Sequence, residues 1–400
     1  MNHRSDSRVE IRTVNSKREF KRFFDFRREL YRNDPNVVFP MRFMEATLLD
    51  PNKHPFYQHA RRQAFVAESE GRVVGRIVAI QDDMHNECYD DAIGFFGFFE
   101  CIDDSNVAAQ LLSAAEKWLV ENGCNAMRGP VNPSMKSDFG VLVHGHDSPP
   151  FVMMGHSRDY YERLLEENGL EVIREFNAYW FNNDETGEQA FAHEAGQLER
   201  REKIFARYPQ LRIGHVDRGS FASTLREINT LGNRVRAEGW GFVPLTDAEL
   251  EFMIKQLRQV LDPQTMLTAY WEDKLVGYCI NVPDVNWALR KSVGKFDWIR
   301  LPQFLYWLKK TKRTRVIALG ADPEYRHRGV GILLSTEMRY RGLRSPRFRQ
   351  WEFSWIDSKN EASIRTTGRT MPLEHYKTYR LYQQSIGIQS ATSSDSCSKR

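Results

Sequence analysis

The sequence predicts an α/β protein with two domains in tandem, each a mixed central sheet flanked by helices. The chain has 400 residues, which is enough for two or three domains of about 100 to 200 residues each. Its 41% hydrophobic, 28% charged and 12% aromatic residues are typical of a folded globular protein. Strand-like and helix-like segments alternate in both halves, and the order found in the first half recurs in the second.

The first half is predicted to span residues 1–184. A short strand precedes a helix whose phenylalanines recur at helical spacing and which ends before Pro35. Two strand-like runs joined at Glu70-Gly71 predict a hairpin, and IGFFGFFEC predicts a further strand. The apolar stripe from Ser105 to Asn122 predicts a helix with a polar cap before it and Gly123 after it. Another strand at AMRGPV, then a helix and a closing strand, complete this half.

The second half repeats this order after a polar segment. Residues 185–210 favour a connecting helix, and residues 211–383 contain helices, a hairpin that turns at Glu272-Asp273, and a strand, turn and helix followed by the strand QWEFSWI. Residues 384–400 have no apolar periodicity, which predicts a disordered tail.

Opposite net charges distinguish the two halves. Residues 1–200 hold 23 basic and 33 acidic side chains, a net charge of −10, whereas residues 201–400 hold 34 and 20, a net charge of +14. We therefore expect anions to bind to the second half.

The cellular compartment is predicted from cysteines and from the absence of targeting patterns. Five scattered cysteines without CxxC pairs are typical of reduced thiols. There is no apolar run of about 18 residues, and MNHRSDSRVE has no apolar signal core, so neither a transmembrane helix nor a secretory signal is expected. The cytoplasm is the predicted location.

The most specific motif is Arg326-His327-Arg328-Gly329-Val330-Gly331, between an apolar strand and a predicted helix that runs from Ile332. Glycines at the mouth of a helix let a ligand approach the backbone, and the first helical turn has N–H groups without acceptors inside the chain. Such a turn favours a phosphate or pyrophosphate, which the helix dipole and the two arginines also attract.

In this context ADPEYRHRGVGILL resembles the acyl-CoA pyrophosphate loop of the GCN5-related N-acyltransferases, the GNAT superfamily. The superfamily pattern is Arg or Gln, two residues, Gly, one residue, then Gly or Ala. The resemblance spans about residues 215–383 and implies that acyl-CoA is the co-substrate. It implies that the pyrophosphate binds to Arg326, His327, Arg328, Gly329, Val330, Gly331 and Ile332. It also implies that Asn360 contacts the pantetheine arm, with the thioester where two central strands splay apart.

The proton donor departs from the superfamily pattern. Many members have a Tyr several residues after the asparagine that Asn360 matches, to protonate the departing thiolate, but here no Tyr occurs before Tyr376. Tyr376, Tyr379 and His375 are therefore the candidate donors, and a water molecule is the alternative.

Glu352 is the candidate general base. Strand alternation places it on the same face of QWEFSWI as Ser354, opposite the aromatic residues. The alternative is a structural ion pair with an arginine such as Arg365, because ion pairs are commoner than tuned bases.

The first half lacks an equivalent anion loop. The corresponding position reads ECIDDSN, with three acids and no glycine, so residues 1–184 are expected to be a degenerate GNAT-like domain that serves as scaffold or acceptor site. Its segment GPVNPSMKSDFGVLVHGHDSPPFVMMGHSRDYYERL resembles a tandem GNAT group that includes the bacterial ceramide synthases. Within it, His144, His146 and Asp147 could ligate a metal or supply a base, but spacing places no third ligand, so we expect a hydrogen-bonded pair of strand histidines and no metal.

Residues 288–315 combine nine basic groups and one acid with five aromatic side chains. Three interpretations are open: an amphipathic helix with its aromatic residues facing the core, peripheral contact with an anionic membrane, or the wall of an apolar channel for an acyl chain. A pI of 8.7 without a recognised motif argues against nucleic acid as a partner.

The predicted function is N-acylation by an acyl-CoA-dependent enzyme that acts on a small-molecule or lipid amine. If the resemblance to the ceramide synthases holds, a fatty acyl group is transferred to a sphingoid long-chain base, at the inner face of the membrane. One alternative is a Fem-like aminoacyl transferase of the peptidoglycan type, which takes aminoacyl-tRNA and needs no CoA turn. The other is a non-catalytic acyl-CoA sensor or scaffold.

Overall fold

A computed structural model describes residues 8–182, 187–237, 239–261, 265–345, 347–360 and 373–387. The strands are β1 (Glu10–Val14), β2 (Ala60–Ser69), β3 (Arg72–Asp82), β4 (Ile93–Cys101), β5 (Ala126–Gly129), β6 (Val131–Asn132), β7 (Asp138–Phe139), β8 (Val141–His144), β9 (Glu171–Asn182), β10 (Leu211–His215), β11 (Leu267–Trp271), β12 (Lys274–Pro283), β13 (Arg313–Ala321), β14 (Gln350–Asp357) and β15 (Glu374–Ser385). The helices are α1 (Lys17–Leu30), α2 (Arg42–Leu48), α3 (Asp83–Tyr89), α4 (Ser105–Glu121), α5 (Tyr161–Glu167), α6 (Gly187–Arg207), α7 (Phe221–Arg236), α8 (Asp247–Val260), α9 (Val285–Lys291), α10 (Asp297–Lys310) and α11 (Val330–Arg344).

One sheet of 13 strands runs through both halves of the described chain, and β6 and β7 form a separate pair. Its order is β1-β2-β3-β4-β5-β15-β9-β14-β13-β12-β11-β10, with β8 paired to β15 off this path. In the first half β1 to β4 are antiparallel and β5 is parallel to β4. In the second half β10 to β13 are antiparallel and β14 is parallel to β13. The repeated element order is thus two half sheets of the same design.

Two strands are exchanged between these half sheets. β9 belongs to the first half in sequence but pairs with β14 of the second, whereas β15, at the end of the second half, pairs with β5 and β8 of the first. β9 and β15 also pair with each other. The sequence division into 1–184 and 211–383 follows element order, but neither half completes its sheet with its own strands alone.

Helices cover both faces of each half sheet. In the first half α4 packs on one face and α1 on the other, since successive strand residues such as Phe65 and Val66 point to opposite faces. In the second half α11 packs against Val276 and Trp351, and α7 packs with α8 over Leu275 on the other face.

Several local predictions are confirmed. Glu70 and Glu272 have positive φ of 51° and 53° at the two hairpin turns. α4 begins where predicted, and the Asp104 carboxylate accepts the N–H groups of Asn106 and Val107 as its cap. α6 lies within the predicted connecting segment.

The predicted start of the tail at 384 is too early. Ser385 still pairs with Ala126, and Ile386 is buried against the first core, because β15 continues along β5. Residues 388–400, including Cys397, lie outside the described residues. The other four cysteines are free thiols, with Cys88 exposed and the rest buried.

Candidate functional site

The parallel strands β13 and β14 diverge in the middle of the second half. They are in register from Arg313 opposite Gln350 to Val316 opposite Phe353. β13 nevertheless continues to Ala321 and β14 to Asp357, so the two strands separate beyond their last pair. An opening between central strands is where the resemblance places the thioester.

The predicted anion loop lies at the end of β13. A 3-10 turn, Pro323–Arg328, ends at Gly329, whose φ of 81° is in the left-handed region that favours glycine. The first hydrogen bond of α11 joins the N–H of Leu333 to the Gly329 carbonyl at 2.9 Å. The N–H groups of residues 330–332 come before this bond and have no i−4 acceptor within the helix. A Cβ placed on Gly331 would meet nothing within 4 Å, so there is open space beside this residue. The geometry suits an anion.

Basic side chains surround this turn. Arg326 and His327 are exposed, and Arg328 stacks over the Trp271 ring with its guanidinium carbon 4.3 Å from the centroid. Arg326 also donates to the Val235 carbonyl at 3.2 Å, which ties the turn to the end of α7.

The acids beside the loop stabilise the turn. Asp322 accepts the N–H of Glu324 at 3.1 Å as the cap of the 3-10 turn, and its carboxylate lies 3.1 Å from a guanidinium nitrogen of Arg234. These contacts give Asp322 a structural role as a cap and an ion-pair partner.

Asn360 follows β14 and is exposed. Its N–H donates to the Asp357 carbonyl at 2.9 Å, which places the residue in a turn after the strand. Residues 361–372 come next in the chain and lie outside the described residues.

Glu352 is fully buried beside Arg315, its register partner on β13. The Arg315 Nε lies 3.0 Å from Glu352 Oε2. Burial raises the pKa of Glu352 to about 7, against the opposing influence of Arg315 and the Ser354 hydroxyl. An ion pair is therefore present, but with Arg315 on the neighbouring strand; Arg365 lies outside the described residues.

The three candidate proton donors lie on β15 in different environments. Tyr379 is fully buried and donates to the Gly155 carbonyl at 3.0 Å. The Tyr376 hydroxyl is 3.7 Å from the Met154 sulfur, a weak acceptor, and burial followed by the charge of Glu352 raises its pKa well above 10. His375 is exposed, and burial of part of its ring lowers its pKa. Of the two tyrosines, Tyr376 therefore has the hydroxyl with the weaker acceptor.

His375 is held by other polar groups. Its ring stacks on His144 with centroids 5.4 Å apart, and its Nε2 lies 2.9 Å from the Thr378 hydroxyl. These contacts fix the ring at the surface.

Sequence reasoning missed a set of buried charges around Glu352. Arg313 pairs with Asp284 at 3.0 Å, and Arg315 donates to the Val152 carbonyl at 2.5 Å. The sequence did contain a signal for these charges. Arg313 and Arg315 stand at alternate positions of the otherwise apolar strand β13, and charged side chains there must find buried partners.

Lys377 was also missed. It is fully buried on β15, where it donates to the carbonyls of Gly145 and Ser148. Burial lowers its pKa to about 8. The loop that follows β8 is thereby tied to β15. Its Val152 carbonyl accepts from Arg315, the partner of Glu352.

The HGHD segment does not have the geometry expected for paired strand histidines. β8 ends at His144, and Gly145 has φ of 89°, so the chain turns before His146 and the two rings do not share a strand face. Within the ranges that the structure describes, no group of three or more His, Cys, Asp or Glu side chains is close enough to hold a metal.

The corresponding opening of the first half is filled by the chain itself. A Cβ on Gly97 would lie 1.7 Å from the Val131 carbonyl oxygen, and the Phe98 N–H donates to the Asn132 side chain at 2.6 Å. In the loop after β4, Asp103 pairs with Arg163. These contacts favour the second half as the ligand-binding half.

The antiparallel strands that lead into a diverging parallel pair, with a helix-mouth turn after the first of them, define a tandem GNAT fold. Among solved structures, a tandem GNAT protein from the clavulanic acid biosynthesis pathway has a TM-score of 0.55 at 13% identity, covering 95% of this chain and 99% of that chain. A GCN5-related glucosamine N-acetyltransferase region of a fungal enzyme also has a TM-score of 0.55, at 12% identity, covering 95% of this chain and 38% of that chain.

Two sequence relatives span nearly the whole chain. Protein YghO of Escherichia coli (strain K12) is 31% identical over 386 residues, which is 94% of this chain and 95% of that protein. The bacterial ceramide synthase of Caulobacter vibrioides (strain NA1000 / CB15N) is 30% identical over 381 residues, or 93% and 96%. No protein-family model matches the sequence. The chain belongs to the family of tandem GNAT acyltransferases that contains these two relatives.

Proposed function

We propose that this protein is an acyl-CoA-dependent N-acyltransferase. The observation that supports this best is the arrangement of the second half, where a helix mouth with open space beside Gly331 follows β13 and a buried carboxylate, Glu352, lies where β13 and β14 begin to diverge. The turn accounts for an anionic co-substrate, and the carboxylate accounts for a proton acceptor.

The residues present fit acyl-CoA. The N–H groups of residues 330–332 would hold its pyrophosphate, with exposed Arg326 and His327 supplying charge at the same turn. Asn360, exposed after β14, would hold the pantetheine arm. When bound, the co-substrate supplies an acyl thioester.

The acceptor amine then reacts with the acyl carbon. A C–N bond forms as the C–S bond breaks, the nitrogen loses its proton to the Glu352 carboxylate, and the sulfur gains one from the Tyr376 hydroxyl. Glu352 is suited to its role because its pKa of about 7 leaves an appreciable fraction deprotonated at neutral pH. Tyr376 is suited to its role because it keeps its proton and its hydroxyl contacts the Met154 sulfur, a weak acceptor.

A matched pair of tyrosine variants tests the proton donor. We expect Tyr376→Phe to slow acyl transfer by about 100-fold with acyl-CoA affinity unchanged. Tyr379→Phe removes a hydroxyl bound to the Gly155 carbonyl, so it should cost about 1 kcal/mol of stability and leave the rate near that of the wild type. Equal rates in Tyr376→Phe and the wild type would exclude Tyr376 and favour water.

The finer proposal concerns the acceptor, which we infer to be a long-chain lipid amine such as a sphingoid base, N-acylated with a fatty acyl group at the membrane surface. Its support is the relative named bacterial ceramide synthase, which matches 93% of the chain.

The decisive experiment measures free thiol. The protein is mixed with acyl-CoAs of graded chain length and a thiol reagent, with and without sphingoid bases. We expect thiol release that depends on the amine. Acyl-CoA binding without release would contradict catalysis and indicate a sensor, and transfer from aminoacyl-tRNA would indicate the Fem-like alternative.

A further inference from the structure

α10 has two apolar faces, one buried and one exposed. Phe304 and Leu308 point inward and pack with Val38, Met41 and α9. Other positions of α10, and its N-cap Phe296, leave large apolar side chains in solvent, and these are Phe296, Trp298, Leu301, Leu305 and Tyr306. Trp298 is 74% exposed and Tyr306 is 56% exposed. An amphipathic helix with all its aromatic residues in the core is therefore not what forms here.

Arginines and lysines of this region are sorted to different sides. Arg290 donates to the Pro35 carbonyl at 2.8 Å and Arg300 donates to the Phe39 carbonyl at 3.0 Å, so both are used to hold the first half. The lysines are exposed, and they are Lys291, Lys295, Lys309, Lys310 and Lys312. No ion pair to these five lysines occurs within the described part of the chain.

The acid of this region is also occupied. Asp297 accepts the N–H groups of Arg42 at 3.1 Å and of Phe43 at 3.0 Å, where its charge meets the first turn of α2. The outward surface around α10 is consequently cationic as well as apolar.

A cavity of about 540 Å³ adjoins this surface between α10 and the ends of α7 and α8. Four cations, Arg218, Arg258, Lys309 and Arg347, line it together with apolar side chains that include Leu305. None of the described residues that line it is acidic. A lining of apolar and cationic side chains suits one chemical class, an anionic head group attached to a hydrocarbon chain.

We propose that the exposed residues of α10 and these five lysines form a docking surface for a bilayer that contains anionic phospholipid, and that the cavity receives a lipid head group. Aromatic and leucine side chains enter the interface between head groups and acyl chains, and lysines contact the phosphates. Charge complementarity selects this occupant over a second copy of the chain, since two copies would place the same lysines face to face.

Few residues separate α9, which carries Lys291 of the docking surface, from Glu352 and its partner Arg315. Asn286 of α9 donates to the Phe151 carbonyl at 2.7 Å, and the neighbouring Val152 carbonyl accepts from Arg315, the partner of Glu352. On the proposed function, the lipid surface supplies the acceptor amine and lies beside the half that contains Glu352.

Vesicle co-sedimentation of the full chain tests the surface without any need for catalysis. We expect binding to phosphatidylcholine vesicles that contain phosphatidylglycerol, weaker binding to pure phosphatidylcholine, and loss at high salt. The charge variant Lys309→Gln, Lys310→Gln, Lys312→Gln should bind on the order of 100-fold less tightly, because each basic residue near an anionic surface contributes about fivefold. Trp298→Asp should bind at least about tenfold less tightly.

The matched control is Val120→Asp, which places the same charge on an exposed apolar residue of α4 in the first half. It should bind vesicles like the wild type. Acylation of a water-soluble amine should be the same in all variants, so a failure of docking and a failure of the proposed function are distinguishable. Absent vesicle binding, binding that Trp298→Asp leaves unchanged, or a dimer that Trp298→Asp dissociates would each overturn the proposal.

Discussion

Glu352 lies opposite Arg315 at the last but one register pair before β13 and β14 diverge. The carboxylate is removed from water, which disfavours its charge, and Arg315 offsets only part of that cost. Removing one member of a buried ion pair commonly destabilises a protein by about 3 to 5 kcal/mol because the other charge stays buried. Because the Glu352 carboxyl is already largely protonated below pH 7, replacing it by the glutamine amide should avoid most of this cost.

Glu352→Gln tests the base through the pH dependence of the rate. A base works only when deprotonated, so wild-type kcat/KM should rise as the pH rises through about 7. In the variant we expect a rate at least about 100-fold lower and no rise in that range. Steady-state rates across this range, at saturating and at limiting amine, supply the measurement.

Stability provides the control for this variant. The folded pKa of about 7 lies above the ordinary 4.5, so the contribution of Glu352 is fully present below pH 4.5 and is lost as the pH rises to 7. The free energy of unfolding of Glu352→Gln should lack this loss. An unaltered rate profile in a folded variant would remove Glu352 from the mechanism.

Gly331 and Gly329 differ in what a side chain would disturb. At Gly329 a Cβ requires the left-handed region and would lie 3.1 Å from Ile204 Cδ1, so substitution strains the fold. At Gly331 a Cβ points into open space from a helical backbone.

We therefore expect Gly331→Val to weaken acyl-CoA binding by at least about tenfold with no loss of Tm, since valine is a better helix former than glycine. Calorimetric titration with CoA and thermal unfolding make the comparison, and Gly329→Val should lower both affinity and Tm. Undiminished affinity in Gly331→Val would move the pyrophosphate away from these amides.

At the scale of elements, a charged network fastens α8 of the second half to β2 and β3 of the first. The His59 Nδ1 lies 2.9 Å from Asp82 and its Nε2 lies 3.4 Å from Glu249. Lys136 reaches the same Glu249 at 3.0 Å. Burial acts to lower the pKa of His59, but the two carboxylates outweigh it and raise the pKa to about 9.

This network predicts a loss of stability in mildly alkaline solution. The folded pKa of His59 is above the ordinary 6.5, so its stabilisation is fully present below pH 6.5 and disappears as the pH rises to about 9. After allowance for partial solvent contact, the change should be on the order of 2 kcal/mol. Denaturant unfolding of the wild type and His59→Gln across this window measures it.

The comparison with His59→Gln is needed because Lys377 titrates in the opposite sense. Its folded pKa of about 8 is below the ordinary 10.5, so the titration of Lys377 stabilises the folded protein as the pH rises from about 8 to 10.5. Identical pH slopes for wild type and His59→Gln would show that the network does not hold α8.

At the scale of the molecule, the exchange of β9 and β15 makes the halves interdependent. β15 supplies partners to β5, β8 and β9, and it buries Tyr379, Leu381 and Tyr382. Burial of each such side chain contributes about 1.5 to 3 kcal/mol, so their sum is comparable to the whole stability of a typical domain.

Truncation after Leu373 should consequently abolish folding of both halves, with loss of the cooperative unfolding transition seen by circular dichroism. The isolated segment 1–186 should also fail to fold, because β5 and β9 lack β15 and β14. Truncation after Gly387 is the matched control and should keep the wild-type Tm, since β15 stays intact. A soluble, cooperatively folded 1–186 segment would contradict the interdependence.

The two half sheets share a design but differ at their openings. Val131 and Asn132 fill the divergence of β4 and β5, whereas the second half has a glycine turn and a buried Glu352 at the matching place. This asymmetry agrees with the prediction from the acidic ECIDDSN sequence that the first half lacks an anion loop, and the first half stays predicted to be a scaffold or acceptor site.

Local patterns predicted much of this molecule. The hairpin turns at Glu70 and Glu272, the capped helix α4 and the glycine turn at Gly329 were accessible from the sequence, and the resemblance to the GNAT superfamily implied the divergence of two central strands. The candidate base was identified, but its partner was not, because Arg315 is distant from it along the chain and adjacent only in the parallel register.

What the sequence determined by itself is therefore the helices and strands with clear periodicity and the glycine turn after β13, since periodicity, caps and glycines act over a few residues. Tertiary structure alone decided which strands complete which half sheet, which arginine meets Glu352, and which face of α10 is exposed. Those outcomes depend on contacts between residues tens to hundreds of positions apart, as when Tyr382 of β15 pairs with Gly129 of β5. Such pairings follow from the assembly of one continuous sheet from strands of both halves, and no local pattern encodes them.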